Sequence, residues 1–257
     1  MTVILSNAIT WDNIKSMEEI MPGKIIYNGK SLLDNKTPII AVAVNGNKSR
    51  PNSKTGDMLQ TYILTKDIDP RLANKTGQDF GICGNCPHRG IPSTDPKRAT
   101  AENRDCYVRI DQAPLIVWRS FNNGLYPIAT NEEIVSMGSN RPVRLGTYGD
   151  PAAVPRNVWD LLISESTGHT GYSHQSKIKD SYSDICMHSV EDKKQAIAAW
   201  KDGKRTFRIV QSVDEIIKGK EILCPASKEA GRKSVCELCK LCSGSEIKKR
   251  SVAIVQH

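Results

Sequence analysis

The chain has 257 residues, of which 39% are hydrophobic and 25% charged, and its formal net charge of +8 corresponds to a pI of about 9.0. It is long enough to bury a core of ordinary size, as one large α/β domain with appendages or as two small domains. No stretch approaches the length of an apolar membrane span, so we expect no membrane partner, whereas the positive charge favours an anionic partner such as nucleic acid, a nucleotide or phosphate.

Residues 1–110 are predicted to form an irregular N-terminal region. The chain starts MTVILSNAITWDN, which has no basic segment, no sustained apolar run and no small-residue cleavage site. We therefore expect a cytoplasmic protein with reduced thiols. Residues 39–44 predict a hydrophobic strand that ends in an Asn45-Gly46-Asn47 turn, and the polar composition of residues 46–56 predicts a loop.

Residues 111–215 are predicted to form a β/α core, and residues 216–257 a cysteine-rich metal-binding segment. Alternating patterns predict strands over 115–118, 143–148, 171–174, 184–190 and 206–210, with helices over 157–164 and 192–200. A last apolar run at 251–255 predicts an edge strand. This order is typical of βαβ units. We therefore predict an α/β fold, either a partial β/α barrel or an open parallel sheet with cysteine-rich metal-binding loops.

Seven of the eight cysteines form two spaced groups. The first group is Cys83, Cys86 and Cys106, and the second is Cys224, Cys236, Cys239 and Cys242. A C-x2-C-x2-C run with a remote Cys-Pro is a spacing that wraps an iron–sulfur cluster, most simply 4Fe-4S. Zinc is the alternative, although structural zinc sites usually take two ligand pairs from separate turns.

The remaining thiol and the neighbouring histidine have alternative interpretations. Cys186 has no cysteine nearby and is predicted to be a small buried hydrophobic residue. His88 follows Cys86-Pro87, so it is either a fourth ligand, a hydrogen-bond donor to the ligands, or a surface residue, which we prefer. Basic residues near the second group suit the charge of thiolates as well as an anionic ligand: Lys228, Arg232, Lys233, Lys240, Lys248, Lys249 and Arg250.

Residues 144–151 read RLGTYGDP and end a predicted strand. Ligands bind at the carboxyl ends of strands in parallel α/β folds, so Gly146, Gly149 and Asp150 are predicted to contact a cofactor. An equally good interpretation is a plain turn capped by Asp150. Aromatic and imidazole side chains on the following predicted strands extend the candidate pocket: Tyr172, His174 and His188. For the two histidines, a core or pocket position is favoured over a metal ligand.

These motifs together resemble a group of cysteine-rich bacteriophage proteins. The segments that carry the resemblance are NSKTG at 52–56, GICGNCP at 81–87, CYV at 106–108, residues 144–151, and CPA at 224–226 with the three cysteines from 236 to 242. The family comprises the actinobacteriophage gene-88-like proteins and relatives, some described as similar to radical S-adenosylmethionine enzymes. The resemblance covers the chain from about residue 45 and implies a phage origin, the cytoplasm of an infected bacterium, iron–sulfur binding and a partial β/α barrel.

Two functional classes follow. In the first, the protein is a radical S-adenosylmethionine-like enzyme in which the first group holds a catalytic cluster and the second an auxiliary one. The usual C-x3-C-x2-C signature is absent, because nineteen residues separate Cys86 from Cys106. All the cysteines could then serve one cluster, or the first group could bind zinc with His88. In the second class, a non-catalytic iron–sulfur or zinc protein binds nucleic acid in phage replication or transcription.

Overall fold

The computed structural model describes residues 23–45, 52–175, 182–245 and 249–256. The first residues of the chain, from which a cytoplasmic location is expected, and residues 46–51 of the predicted polar loop lie outside these ranges. Among the described residues, no helix combines the length and the apolar composition that crossing a membrane requires.

One mixed sheet organises the chain. Its nine strands are β1 (Gly23–Lys30), β2 (Pro38–Val44), β3 (Leu59–Thr65), β4 (Pro142–Tyr148), β5 (Gly168–Ser173), β6 (Met187–Val190), β7 (Thr206–Val210), β8 (Glu221–Leu223) and β9 (Ser251–Val255). Their order in the sheet is β1-β2-β3-β4-β5-β6-β7-β9-β8. The first three pair antiparallel and the others parallel, so the sheet is open and mostly parallel, as one of the two predicted architectures requires.

Seven α-helices connect or flank the strands. They are α1 (Pro70–Lys75), α2 (Phe80–Cys83), α3 (Ala113–Asn122), α4 (Asn131–Gly138), α5 (Arg156–Ile163), α6 (Lys193–Lys201) and α7 (Cys236–Cys239) in the part of the chain that the structure describes. Local chemistry sets several of their starts. A capping box between Thr130 and Glu133 begins α4, and the Asp192 side chain accepts a hydrogen bond from the Gln195 N–H to begin α6.

The two faces of the sheet have different environments. Val143 and Leu145 on β4 pack in the hydrophobic core with Trp159 and Leu162 of α5, all four fully buried. Arg144 lies between them in sequence, so its side chain points to the opposite face. Gln60 on β3 and Thr170 on β5 are the register partners of Arg144. This polar row begins the face that carries the candidate site.

Three element predictions were wrong or imprecise. Residues 115–118 belong to α3, because a four-residue apolar run does not distinguish strand from helix and Pro114 suits a helix start. The strand predicted at 184–190 is confined to Met187–Val190. The run at 251–255 is not an edge strand: β9 lies between β7 and β8, and its nearly continuous burial is typical of interior parallel strands.

The front of the chain is more regular than predicted. Strands β1 and β3 accompany the expected β2, and Leu59–Thr65 is almost completely buried. The single sheet takes strands from all three predicted segments: β1 to β3 from residues 1–110, β4 to β7 from 111–215, and β8 and β9 from 216–257. The cysteine groups of the first and third segments can therefore meet over one surface.

Candidate metal and ligand site

A cavity of about 860 Å³ covers the face of the sheet that carries Arg144, opposite the core beneath α5. Alternating residues of the parallel strands form its floor, including Arg144 on β4, Thr170 and Tyr172 on β5, and Phe207 on β7. Loops from both halves of the chain form its walls. All seven cysteines of the two predicted groups contribute to these walls: the lining thiols are Cys83, Cys86, Cys106, Cys224, Cys236, Cys239 and Cys242.

The first thiol group lies on adjoining loops that are joined by backbone hydrogen bonds. Cys83 ends α2, the Cys86 N–H donates to the Cys83 carbonyl at 3.2 Å, and the Cys106 N–H donates to the His88 carbonyl at 3.1 Å. Arg89 braces this loop by donating to the Gly84 carbonyl at 3.3 Å. The structure thus brings together three thiols that are separated by up to 23 residues, 106 minus 83, in the sequence.

The three thiols of the first group influence one another. Burial raises the pKa of Cys83 well above its usual value, and Asp79, Cys86 and Cys106 raise it further. Burial also raises the pKa of Cys86 to about 12, with Cys106 contributing. Each thiol therefore resists losing its proton unless a positive charge lies beside it.

The second thiol group joins the front and the back of the chain. The Cys236 N–H at the start of α7 donates to the Lys54 carbonyl at 2.9 Å, and the Cys224 N–H donates to the Ala253 carbonyl of β9 at 2.8 Å. The Cys242 carbonyl accepts from the Gly171 N–H of β5 at 2.9 Å. Burial raises the pKa of Cys242 to about 12, and the other three thiols of the group add to this rise.

Cys186 is separate from both groups. It is 1% exposed and packs within the hydrophobic core, so the prediction of a small buried hydrophobic residue is confirmed. All eight cysteines are free thiols. The structure therefore divides the cysteines into the same two groups and one isolated residue that the spacing predicts.

Buried polar atoms near the second thiol group lack partners. Arg144 is 6% exposed; its Nη2 donates to the Tyr107 hydroxyl at 2.6 Å and its guanidinium lies 5.6 Å from the centre of the Tyr172 ring. In the described ranges its Nε has no hydrogen-bond partner, and neither do the hydroxyls of Thr55 and Thr170. All three residues line the cavity.

Among the described residues, no three thiol sulfurs lie within 4.8 Å of one another, so the thiols are not spaced to hold a single ion, and the group to be tested is a larger thiolate-ligated cluster. The Arg144 guanidinium acts on Cys236 to lower the pKa of that thiol against the larger effect of burial. A hydrogen bond with Tyr172 similarly opposes the raised pKa of Cys242. Thiolates and inorganic sulfide accept hydrogen bonds, so a bound cluster would satisfy donors that are otherwise orphaned. Among the described carboxylates, none forms an ion pair with Arg144.

The Gly-Asp turn after β4 is held by its own contacts. Gly146 and Gly149 have φ of 65° and 82°, and a Cβ on Gly149 would come within 2.7 Å of the Ile63 Cβ. Asp150 caps the following turn, because its Oδ1 accepts from the Ala152 N–H at 3.0 Å. Its Oδ2 accepts from the His174 N–H at 2.9 Å, so Asp150 positions the start of the loop after β5.

Both glycines and Asp150 line the cavity, as do Tyr172 and His174. His188 is not among the described residues that line it, because the neighbouring Ser189 occupies the cavity face of β6. Five of the six residues predicted to contact a cofactor therefore converge on one space. The capping geometry that the turn interpretation predicts is present at Asp150 at the same time.

His88 has two acidic partners. Its Nδ1 lies 2.9 Å from Asp105 Oδ1, and its Nε2 lies 3.1 Å from Glu191 Oε2. His174 Nε2 is 3.0 Å from Glu191 Oε1. The hydrogen bond with Glu191 raises the pKa of His88 to about 9, and the hydrogen bonds from His174 and His88 lower the pKa of Glu191 to about 2.

These contacts place both ring nitrogens of His88 against carboxylates and not against a cysteine sulfur. Sequence reasoning did not single out Glu191, Asp105 or the burial of Arg144. A usable pattern existed for Glu191 alone, since it directly follows a predicted strand and strand ends carry ligand sites. Comparison of the chain with family models, with curated proteins and with solved structures found no match.

Proposed function

We propose that the protein is an iron–sulfur protein with two thiolate sites in one cavity, and that the cavity is the pocket of a radical S-adenosylmethionine-like enzyme. The main observation in support is that seven cysteines from distant segments line a single cavity on the sheet, while Cys186 lies apart in the core. Structural metal sites that only stiffen loops do not need to face a shared internal space.

In this proposal the second group holds a fully ligated 4Fe-4S cluster. Its four thiolates would hold the cluster, and the buried Arg144 would offset part of the negative charge that they bring. The unpartnered hydroxyls of Thr55 and Thr170 are available to the cluster sulfurs. The role of these side chains is to hold, shield and electrostatically balance the group.

The first group, with Cys83, Cys86 and Cys106, supplies three thiolates. A cubane cluster with three protein ligands leaves one iron free for the amino and carboxylate groups of S-adenosylmethionine, whose reductive cleavage such a cluster supports. His174 lines the cavity near it, held through its backbone by Asp150, and Tyr172 lines the same cavity beside the second group. The sheet is open, and β3 to β7 are adjacent in it in chain order, as consecutive βαβ units require. The phage origin and the bacterial cytoplasm rest on the resemblance and the sequence.

Anaerobic purification followed by iron, acid-labile sulfide and zinc analysis tests the proposal. We expect a brown protein with iron and sulfide in comparable amounts. A colourless protein with stoichiometric zinc would contradict the iron–sulfur assignment. It would leave the structural zinc alternative.

Calorimetric titration of the iron-loaded protein with S-adenosylmethionine tests the enzymatic half of the proposal. We expect binding by the wild type and weaker binding by Asp150→Ala, with cluster content unchanged. Loss of roughly 0.5–2 kcal/mol of stability with unaltered binding would reduce Asp150 to a turn cap. Salt-dependent DNA binding without any response to S-adenosylmethionine would replace the enzyme with the nucleic-acid-binding alternative.

A further inference from the structure

Two imidazoles and a carboxylate converge beside the first thiol group. His174 directly follows β5 and Glu191 directly follows β6, so both stand at the carboxyl ends of adjacent parallel strands. His88 reaches them from the short turn Pro87–Arg89. One ligand atom from each of the three lies within 4.8 Å of the others, and all three residues line the cavity.

The contacts of His88 require a positive charge in this cluster. Asp105 Oδ1, an acceptor, is 2.9 Å from Nδ1, so the ring proton of a neutral imidazole lies on Nδ1. Nε2 then presents a lone pair to Glu191 Oε2 at 3.1 Å, which is a second acceptor. Two acceptors at that distance need a cation between them. A second proton on His88 is one such cation, and a metal ion is the other.

A divalent ion can take the place of the protons that otherwise link these three side chains. Glu191 faces both imidazoles, through Oε2 towards His88 and Oε1 towards His174 at 3.0 Å. Protons satisfy these contacts separately, since protonated His88 donates to Oε2 and His174 with its proton on Nε2 donates to Oε1. One divalent ion replaces both protons, because it accepts a lone pair from each of the three residues. Zinc and first-row metals bind such donors at about 2.0–2.2 Å. The present separations need only small side-chain movements to reach that geometry.

The surroundings are already arranged as they are in known metal sites. A carboxylate that accepts from the second ring nitrogen of a metal-bound histidine fixes its tautomer and orientation, and Asp105 has that position towards His88. His174 is fixed by the bond from its N–H to Asp150 at 2.9 Å. The backbone of Glu191 is held through its N–H, which donates to Gln195 Oε1 at 3.0 Å.

We propose that His88, His174 and Glu191 form a mononuclear site for a divalent transition-metal ion, oriented by Asp105 and open to the cavity. Three protein ligands are fewer than zinc or ferrous iron accepts, so the remaining coordination position faces the cavity and takes water or a cavity ligand. The donor set contains no sulfur. The site is therefore chemically distinct from both thiol groups and does not depend on the iron–sulfur proposal.

Cobalt(II) titration of anaerobically purified protein, after its iron and sulfide have been measured, tests the site. Thiolate-bound cobalt gives a strong near-ultraviolet charge-transfer band, whereas cobalt bound by imidazole and carboxylate gives only weak visible bands. We expect wild type to bind one equivalent without the charge-transfer band, and Glu191→Gln and His174→Ala to lose that equivalent. Glu132→Gln, an exposed change on α4, is the control and should retain it.

Asp105→Asn keeps the three ligands and tests the orienting role, since its side chain is about half exposed and folding should not depend on it. We expect its cobalt affinity to fall about 10–100-fold. Equal binding by wild type and Glu191→Gln, with both folded by circular dichroism, would overturn the proposal. A charge-transfer band on the equivalent that Glu191→Gln removes would overturn it too, because the ion would then be bound by cysteine. Neither result bears on iron and sulfide content, so the iron–sulfur proposal stands or falls separately.

Discussion

Replacing Arg144 with methionine tests whether this buried arginine stabilises the metal-free fold or serves to bind a negatively charged group. Arg144 is 6% exposed and its contacts in the described chain are the Tyr107 hydroxyl and the Tyr172 ring. The hydrogen bond is worth about 0.5–1.5 kcal/mol and the ring contact about 0.5–2 kcal/mol. Burying an uncompensated charge costs several kcal/mol. We therefore expect Arg144→Met to leave the metal-free protein unchanged in stability or to stabilise it by about 1–3 kcal/mol.

Arg208 on β7 is the matched control. It is 4% exposed and pairs with the buried Glu221 through two hydrogen bonds, Nε to Oε1 at 2.9 Å and Nη2 to Oε2 at 2.7 Å. Removing one partner of such a pair leaves the other charge buried alone. We expect Arg208→Met to lower the free energy of unfolding by about 3–5 kcal/mol, with or without metal.

The assay is urea unfolding of both variants in the metal-free and the iron-loaded protein at neutral pH. Iron loading should reverse the sign for Arg144→Met, since four thiolates give the guanidinium its counter-charge and the variant then loses that attraction. Equal destabilisation by both substitutions in the metal-free protein would refute the reasoning. It would mean that Arg144 already has a compensating partner.

Two further predictions concern the thiols and the acidic cluster. Cys239→Ser should remove metal and destabilise the fold, whereas Cys186→Ser should leave metal content unchanged; equal metal loss in both would refute the division of the cysteines. In metal-free protein, the pKa of His88 is about 9 when folded against an ordinary 6.5, so its stabilisation is complete below pH 6.5 and is lost between pH 6.5 and 9. The pKa of Glu191 is lowered from 4.5 to about 2, so its stabilisation is complete above pH 4.5 and is lost as the pH falls towards 2. Urea unfolding at pH 6 and 9 should show a fall that Glu191→Gln largely abolishes, and an identical fall in that variant would contradict the coupling.

The grouping of the thiols could be predicted from the sequence because most members of each group are only a few residues apart along the chain. Cys236, Cys239 and Cys242 lie on one short helix and the turn that follows it. Strands β4 and β7 were also predictable, since residues 143–148 and 206–210 carry a clear apolar pattern. These predictions depend on neighbours along the chain.

The polar contacts of the cavity could not be predicted, because they depend on register between strands. Arg144 lies beside Thr170 only because β4 and β5 pair in one register, and a shift by one residue would turn it into the core. Likewise, His174 meets Glu191 because the ends of β5 and β6 are adjacent, which no sequence spacing encodes. Residues 115–118 show that local pattern can also mislead. Their apolar run predicts a strand, but they form part of the helix α3.

The bonds of the second thiol group to Lys54 and to β9 determine when the cavity can form during synthesis. Cys236 is held by the backbone of Lys54, and Cys224 by Ala253. A growing chain can make the first thiol group and strands β1 to β7 while these later residues are still inside the ribosome. The wall that the second group contributes to the cavity is then missing. Closure is a late, long-range step, and any metal held by the second group is loaded only after residues 224–255 have emerged.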